Sequence, residues 1–166
     1  MSHSTPEIVK QDRLFLVGLS IVTTLKAAFE QFTVKQMEAR FHSRIGEIAN
    51  RIGTEAYLVQ QYPQGQAFDN ETPYTVFIGA QVESIADVPE GMSSHVMPQG
   101  EYVKVTHHGL EADLHQTYSS VYGEWIPQSG RKIQRFDYEV WDERYQPESA
   151  DNQIDLYIAL EPAQGE

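Results

Sequence analysis

The feature that most limits how this chain can fold is an order of predicted elements that occurs twice. RLFLVGLSIVT (13–23) is apolar and β-branched, which is typical of a buried strand. A helical pattern follows it, and then EAYLVQQY (55–62) and PYTVFIGAQVE (73–83) are predicted to be two further strands. The first half of the chain therefore predicts the order strand–helix–strand–strand.

The helix of the first half is predicted from an apolar stripe within TVKQMEARFHSRIGEIANRIG. Apolar side chains recur at the spacing of one helix face, and they are Val34, Met37, Phe41, Ile45, Ile48 and Ile52. Thr33 and Gln36 match a capping box at the start of this segment. Gly53 is a typical stop at its end.

The second half repeats the same order. GEYVKVTHH (100–108) alternates as a strand, and LEADLHQTYSSVYGEWIP (110–127) has apolar residues at helical spacing. Pro127 is expected to end that helix. IQRFDYEVWDE (133–143) and NQIDLYIAL (152–160) are predicted to be the closing pair of strands.

The two sets predict a duplicated α+β fold. Their strands can join into one antiparallel sheet with the two helices on one face and a central ligand groove at the junction of the halves. We predict a single domain over residues 1–166, with pseudo-repeat halves at about 8–85 and 95–162. The segment between them, IADVPEGMSSHVMPQ, is predicted to be a linker.

Composition and charge argue against several classes of function. The 166 residues include 12 Lys and Arg against 24 Asp and Glu, a formal net charge of −12, so direct binding to nucleic acid or to an anionic membrane is not expected. No run of ~18 to 20 apolar residues predicts a membrane span, and the N-terminus does not resemble a secretory signal. The absence of cysteine excludes disulfides and thiolate chemistry. We expect a cytoplasmic protein.

Motifs for metal or cofactor chemistry are also missing from the sequence. His107 and His108 are adjacent on a predicted strand and should point to opposite faces, an arrangement that suits chelation poorly. There is no H-E-x-x-H motif, no glycine-rich phosphate loop and no G-x-S-x-G elbow. We therefore expect no cofactor, no metal site and no catalytic residue of these types.

A carboxylate lies at the centre of the aromatic strand RFDYEVWDE. Alternation places Glu139 on one face with Trp141, and the neighbouring strand is predicted to add Tyr157 to that face. The face of Phe136 and Ile154 is the more apolar one, and we expect it to pack under a helix. A solvated Glu139 and a Glu139 that lines a pocket are both compatible with these residues alone.

Four separated blocks of the sequence resemble a known family. VMPQGEYVKVTHHG, TYSSVYGEWIPQSG, YEVWDE and IDLYIAL are similar, in this order, to the signatures of the GyrI-like, AraC-type effector-binding domain. The resemblance runs from about Tyr74 to Leu160, and residues 1–62 match mainly in pattern. Trp141 stands where the family usually has the tyrosine of E-x-Y, and Ala159 where the last strand often ends in proline.

The resemblance implies a ligand-sensing function. Members of the family form the effector-binding half of multidrug-responsive transcription regulators or occur alone. This chain has no additional ~50 to 60 residues of helix-turn-helix, so it resembles the stand-alone form, of a type carried on integron cassettes. The aromatic pocket of the family contains an acidic residue that meets cationic, lipophilic compounds, and by motif this residue is Glu139.

We predict a protein that binds lipophilic, cationic organic compounds, in particular aromatic cations, rather than an enzyme. A cation would offset the cost of desolvating the carboxylate and contact nearby rings. The alternatives are a GyrI-like hydrolase of electrophilic small molecules with Glu139 as general base, and an inhibitor that acts by protein–protein interaction. A regulatory protein partner is compatible with these functions. The expected ligand-binding residues are Glu139, Trp125, Tyr157, Trp141, Tyr57 and Tyr74.

Overall fold

A computed structural model describes residues 3–63 and 67–163 of the chain. Its elements, in chain order, are β1 (Glu7–Gln11), β2 (Leu14–Thr23), α1 (Leu25–Glu30), α2 (Thr33–Arg44), β3 (Arg51–Gln61), β4 (Tyr74–Val82), β5 (Ser93–Met97), β6 (Gly100–His108), α3 (Leu114–Ser120), α4 (Ile126–Ser129), β7 (Ile133–Trp141) and β8 (Gln153–Leu160). Within these two described ranges, no helix is long and apolar enough to cross a membrane.

The chain divides into two compact units. The first unit is Arg13–Pro98, and the second combines the segment before Arg13 with the segment that begins at Gln99. The first unit has the antiparallel strand order β3-β4-β2-β5, with α2 packed on β2 and β4. The second unit has the antiparallel strand order β1-β6-β8-β7.

The two units share one topology, and this confirms the predicted α+β class and its duplication. In the first unit β2 lies between the edge strand β5 and β4, and in the second unit β6 lies in the same way between the edge strand β1 and β8. The two edge strands, β1 beside β6 and β5 beside β2, were not predicted from the sequence. β5 lies in the segment predicted to be a linker, and that part of the prediction is wrong. Strands of only five residues with mixed polar and apolar side chains give a weak periodic signal.

The helix of the first half is shorter than its apolar stripe predicts. α2 ends at Arg44, the chain continues as a 3-10 turn over Ile45–Glu47, and Ile48 already has an extended backbone. Gly46 lies in the middle of the stripe, where a glycine costs a helix about 1 kcal/mol relative to alanine. Gly53, the predicted stop, lies inside β3 with a φ of 72°.

The predicted capping box at the start of this helix is also wrong. Phe32 is the N-cap residue, with a left-handed φ of 57° and no side-chain hydrogen bond to the helix. The Thr33 hydroxyl instead lies 2.8 Å from the hydroxyl of Thr23 at the end of β2. This contact holds the start of α2 on the sheet.

The helical segment of the second half continues past Pro127. A 3-10 turn (Glu111–Asp113) leads into α3, a π turn (Val121–Trp125) follows, and α4 runs to Ser129, with Gly130 as a left-handed C-cap. Pro127 lies in the first turn of α4. Trp125 and Ile126 before it already have helical backbones, and the preceding π turn interrupts the regular hydrogen-bond ladder from which proline removes a donor. The prediction that Pro127 ends the helix is therefore wrong.

Candidate functional site

Glu139 lies on the helix-covered face of the sheet in the second unit. In the register of β7 and β8, Glu139 pairs with Leu156 and Asp137 pairs with Ile158. Paired residues of antiparallel strands share a face, so the aliphatic side chains of β8 surround the two carboxylates. Ile154, Leu156 and Ile158 are all 0% exposed, so this face is fully buried.

This register contradicts the predicted division of faces. Tyr157 pairs with Tyr138 and stacks on it at 4.7 Å between ring centroids, on the face opposite to Glu139. Phe136 shares that opposite face, whereas Ile154 lies on the face of Glu139. The predictions that Tyr157 accompanies Glu139, and that Phe136 and Ile154 lie together under a helix, are therefore wrong.

Two hydrogen-bond donors from the same unit hold the Glu139 carboxylate. The Tyr118 hydroxyl of α3 donates to Oε2 at 2.6 Å, and the Trp141 indole Nε1 donates to Oε1 at 2.9 Å. Glu139 is 3% exposed. A ligand can reach this carboxylate only if a neighbouring side chain moves.

Burial makes Glu139 a weaker acid than an exposed glutamate. Desolvation raises its pKa to about 7, although the hydrogen bonds from Tyr118 and Trp141 favour the charged form and lower the pKa. The nearby charges of Glu111 and Asp137 raise the pKa further. The carboxyl group is therefore close to half ionised at neutral pH, and a small change in its surroundings changes its charge.

A second tyrosine–carboxylate pair lies beside the first. The Tyr122 hydroxyl donates to Asp137 Oδ2 at 2.6 Å, and the rings of Tyr118 and Tyr122 stack with centroids 6.3 Å apart. Burial raises the pKa of Tyr122 well above its ordinary value, and the charge of Asp137 and its hydrogen bond add to this effect. We refer to Tyr118, Tyr122, Asp137 and Glu139 as the tyrosine–carboxylate ladder.

The two tyrosines lie opposite the two carboxylates because the spacing of the tyrosines along the helical segment is similar to the spacing of the carboxylates along β7. Residues four apart on a helix lie about one turn, or ~5.4 Å, along its axis, and residues two apart on a strand lie ~6.6 Å apart on one face. Tyr122 belongs to the π turn. Such turns occur frequently at functional sites.

The loop between β7 and β8 fixes Trp141 from its other side. The Tyr145 ring stacks on the Trp141 indole at 4.7 Å with an interplanar angle of 8°, and the Tyr145 hydroxyl donates to Glu111 Oε2 at 2.7 Å. Arg144, the residue before it, donates to Asp142 and to Asp155, both at 2.8 Å. Trp141 is therefore held both by its stacking partner and by its hydrogen bond to Glu139.

The other predicted site residues are distributed over both units. Trp125 is half-buried in the π turn of the second unit. Tyr57 and Tyr74 belong to the first unit, where both are buried. Tyr57 pairs with Gly79 and its hydroxyl donates to Gln81 at 3.4 Å. Alternation along β4 places Tyr74 on the opposite face of that sheet, stacked with Tyr62 at 5.8 Å.

Three residues of the ladder were missed by the sequence analysis. Tyr118 and Tyr122 are spaced four apart on a helix, and Asp137 is two residues from Glu139 on a strand. This combination would indicate two parallel tyrosine–carboxylate contacts if the helix were known to cover the face of Glu139. Which face of β7 the helix covers depends on how β7 pairs with β8, and the sequence does not specify this register.

Comparison with known proteins places the chain in a family. Residues 7–160 match the family model described as integron-associated effector binding protein, Cass2. The chain belongs to this family. The match agrees with the resemblance in the sequence blocks, since both indicate an effector-binding domain.

Individual relatives agree with this assignment. Transcriptional regulator BrlR of Pseudomonas aeruginosa is 27% identical over 132 residues, which cover 77% of this chain but 46% of that protein, so the chain spans less than half of BrlR. The integron cassette protein VCH_CASS2 from Vibrio cholerae has a TM-score of 0.66 at 13% identity, covering 96% of this chain and 97% of that chain. SAV2435 bound to tetraphenylphosphonium has a TM-score of 0.70 at 10% identity, covering 95% and 94%. At identities of 13% and 10%, the likeness to these two solved structures shows a common fold and nothing further.

Proposed function

We propose that this effector-binding protein binds lipophilic organic cations and that Glu139 recognises their positive charge. The observation that carries the proposal is a carboxylate enclosed by Tyr118, Trp141 and aliphatic side chains, whose pKa is raised by burial to about 7. A cation beside Glu139 stabilises the ionised form and offsets the cost of its burial. Tetraphenylphosphonium, the compound bound to SAV2435, is a lipophilic cation, and this supports the proposed ligand class.

Binding requires a local exchange of partners. The ligand enters when the Tyr118 hydroxyl leaves Oε2 of Glu139, since this hydrogen bond and the surrounding side chains enclose the carboxylate. The Trp141 ring stays in place, because it is held by Tyr145 and by its own hydrogen bond. The rings of Tyr118 and Trp141 then contact the cation through their faces. Trp125, half-buried in the π turn, is the next candidate for the wall of this site.

The test compares a cation with a neutral compound at two pH values. Isothermal titration of tetraphenylphosphonium and of triphenylphosphine oxide is performed at pH 6 and pH 8. A group with a pKa of about 7 is mainly ionised at pH 8 and mainly protonated at pH 6. We expect cation affinity to fall about tenfold, or ~1.4 kcal/mol, from pH 8 to pH 6, while the affinity for the neutral compound stays constant.

Two variants assign the effect to one residue. In Glu139→Gln the pH dependence of cation binding should disappear, and affinity at pH 8 should fall by a factor of about ten or more. Glu143→Gln is the matched control, because Glu143 is exposed just beyond the end of β7. An equal loss of affinity for the cation and the neutral compound in Glu139→Gln would show that Glu139 shapes the site without recognising charge.

A second function is favoured by the same pKa. A carboxylate that titrates near neutral pH is matched to the work of a general base on water. Incubation of the protein with a neutral electrophile such as styrene oxide, followed by mass spectrometry, distinguishes the two functions. A binding protein returns the compound unchanged, whereas a hydrolase that uses Glu139 produces the diol and loses this activity in Glu139→Gln.

A further inference from the structure

The first unit has a short helix whose large apolar side chains lie on the surface. None of the six residues of α1 is buried. A surface helix normally turns its large apolar side chains towards the core and its polar ones towards solvent. In α1 the half-buried residues are Ala27 and Ala28, whereas Leu25 is 37% exposed and Phe29 is 84% exposed. The apolar stripe of this helix therefore faces away from the unit to which it belongs.

Phe32, at the start of α2, is a second exposed phenylalanine and follows α1 after Gln31 alone. It is 61% exposed and has a left-handed φ of 57°, which is uncommon for a residue with a bulky side chain. Asparagine adopts this conformation more readily and is among the best N-cap residues, whereas the Phe32 side chain makes no hydrogen bond to the helix. Residues that break local rules in this way cluster at functional sites. We refer to Leu25, Phe29 and Phe32 as the exposed apolar patch.

Charged residues flank this patch in a pattern that complements itself. Lys26 and Glu30 are both exposed and directly follow Leu25 and Phe29 in the sequence. Residues four apart lie on one side of a helix, so the apolar pair and the charged pair form two neighbouring stripes of α1. When two copies of a helix are related by a two-fold axis and lie antiparallel, the start of each meets the end of the other. Lys26 of one copy then lies beside Glu30 of the second copy, and the same contact occurs twice.

We infer that the exposed apolar patch is the contact surface of a reversible homodimer, in which the α1 helices of two copies lie antiparallel across a two-fold axis. Phe29 of each copy packs beside Leu25 of the second copy. The two pairs of Lys26 and Glu30 lie at the rim of the contact, where charge pairs determine orientation more than affinity. Burial of the phenylalanine rings supplies the affinity.

The exposed area is sufficient for a weak interface. An aromatic side chain buries ~150–250 Å², so at exposures of 84% and 61% the two phenylalanines of both copies together bury on the order of 600 Å². With the flanking surface of α1, this fits the weak complexes that bury less than about 1,200 Å² in total. The formal net charge of −12 on each copy opposes association, so the dimer should form at micromolar or higher protein concentrations.

The test measures association of the full chain by sedimentation velocity at protein concentrations from ~1 to ~500 μM. We expect the wild-type protein to shift from monomer to dimer over this range. Phe29→Ser should raise the dissociation constant more than about tenfold. Leu110→Ser, a change at an exposed apolar residue of the second unit, should leave it within about twofold. A wild-type protein that stays monomeric throughout, whether or not it sediments with phosphatidylcholine vesicles, overturns the inference.

Phe32→Asn separates the contact between copies from the fold of one copy. Asparagine relieves the left-handed conformation, so the melting temperature measured at the lowest concentration, where the protein is monomeric, should rise. The dissociation constant of the dimer should nevertheless increase about fivefold or more, because a ring is lost from the contact. A higher melting temperature with undiminished association would show that Phe32 serves no interface and would overturn the inference.

Exchange of charges tests the antiparallel geometry. Lys26→Glu and Glu30→Lys each replace both attractive pairs by like charges, so each variant alone should dimerise about tenfold more weakly than the wild type. An equimolar mixture of the two variants should recover the wild-type affinity within about threefold, because each charge then meets its opposite. Lys132→Glu makes the same change in net charge at an exposed position of the second unit and should retain dimerisation. A mixture that associates no better than the separate variants overturns the inference.

Discussion

At the scale of single residues, Glu139 links the stability of the folded protein to pH. Its ordinary pKa of 4.5 applies to the unfolded chain, and burial raises the pKa in the folded protein to about 7. Between these two pH values the folded state binds a proton that the unfolded state has lost. The free energy of unfolding contributed by this group is therefore fully present below about pH 4.5, decreases as pH rises to about 7, and is constant above it.

Glu139→Gln should remove this pH dependence, because glutamine has no proton to lose. We expect the wild-type protein to lose on the order of 3 kcal/mol more than the variant between pH 4.5 and pH 8. Urea unfolding of both proteins at the two pH values measures the difference, with Glu143→Gln as the control that retains the wild-type slope. Parallel curves for wild type and Glu139→Gln would show that the pKa of Glu139 is not raised.

Tyr118→Phe should shift the pH dependence of cation binding. The Tyr118 hydrogen bond lowers the pKa of Glu139, so its removal raises that pKa. The midpoint at which cation affinity declines should therefore move to higher pH. Titrations with tetraphenylphosphonium across the range pH 5.5 to 9 follow this midpoint. Tyr157→Phe is the matched control, since Tyr157 lies on the opposite face of the sheet, and an equal shift in both variants would contradict the assigned contact.

At the scale of elements, Gly123 and Gly130, near the end of the second helical segment, differ in backbone conformation. A Cβ atom added at Gly123 or at Gly130 would meet no other atom within 4 Å, but Gly130 has a left-handed φ of 75°. Gly123→Ala should stabilise the π turn by about 0.5–1 kcal/mol, because alanine loses less backbone entropy in a helix. Gly130→Ala should destabilise the protein by about 1 kcal/mol or more through strain. Thermal unfolding of the two variants should give shifts of opposite sign.

The strands and helices with strong periodicity were predictable from the sequence, and their ends were less so. β2, β4, β6 and β8 follow from runs of apolar and β-branched residues. The end of α2 does not follow from its stripe, because Ile48 and Ile52 keep the helical spacing while the backbone has already become extended. The spacing of apolar residues indicates which side chains are buried but not which backbone conformation buries them. Here a 3-10 turn followed by a strand continues the apolar stripe after the helix has ended.

The site was predictable only in part, because face assignments depend on register. Glu139 and Trp141 are neighbours by alternation within a single strand, and the structure confirms their contact. Tyr157 could be placed only by knowing how β8 pairs with β7, and a shift of one residue moves every side chain to the other face. The contact of Tyr118 with Glu139 depends on which face of the sheet the helical segment covers, and the sequence of β7 alone does not specify that face.

At the scale of the whole molecule, the N-terminal strand should stabilise residues far away in the sequence. β1 pairs with β6, and just before it the backbone N–H of Ser4 donates to the Thr106 carbonyl at 2.8 Å. Deletion of residues 1–11 should therefore expose one edge of β6 and leave the first unit intact. We expect hydrogen exchange to accelerate within Gly100–His108 and to stay slow in β2 and β4. Equal acceleration in both units would contradict this assignment.

The placement of β1 also determines the order in which the chain can fold during synthesis. The first unit is continuous in sequence and can form once Pro98 has emerged, whereas β1 must wait for residues after Gly100 before it has a partner. At ~5–20 residues per second the strand stays unpaired for several seconds. It carries Glu7 and Lys10 among its five residues, and charged side chains discourage an open strand from pairing with other chains. The same charges that weakened its signal in the sequence protect the nascent chain while it waits for β6.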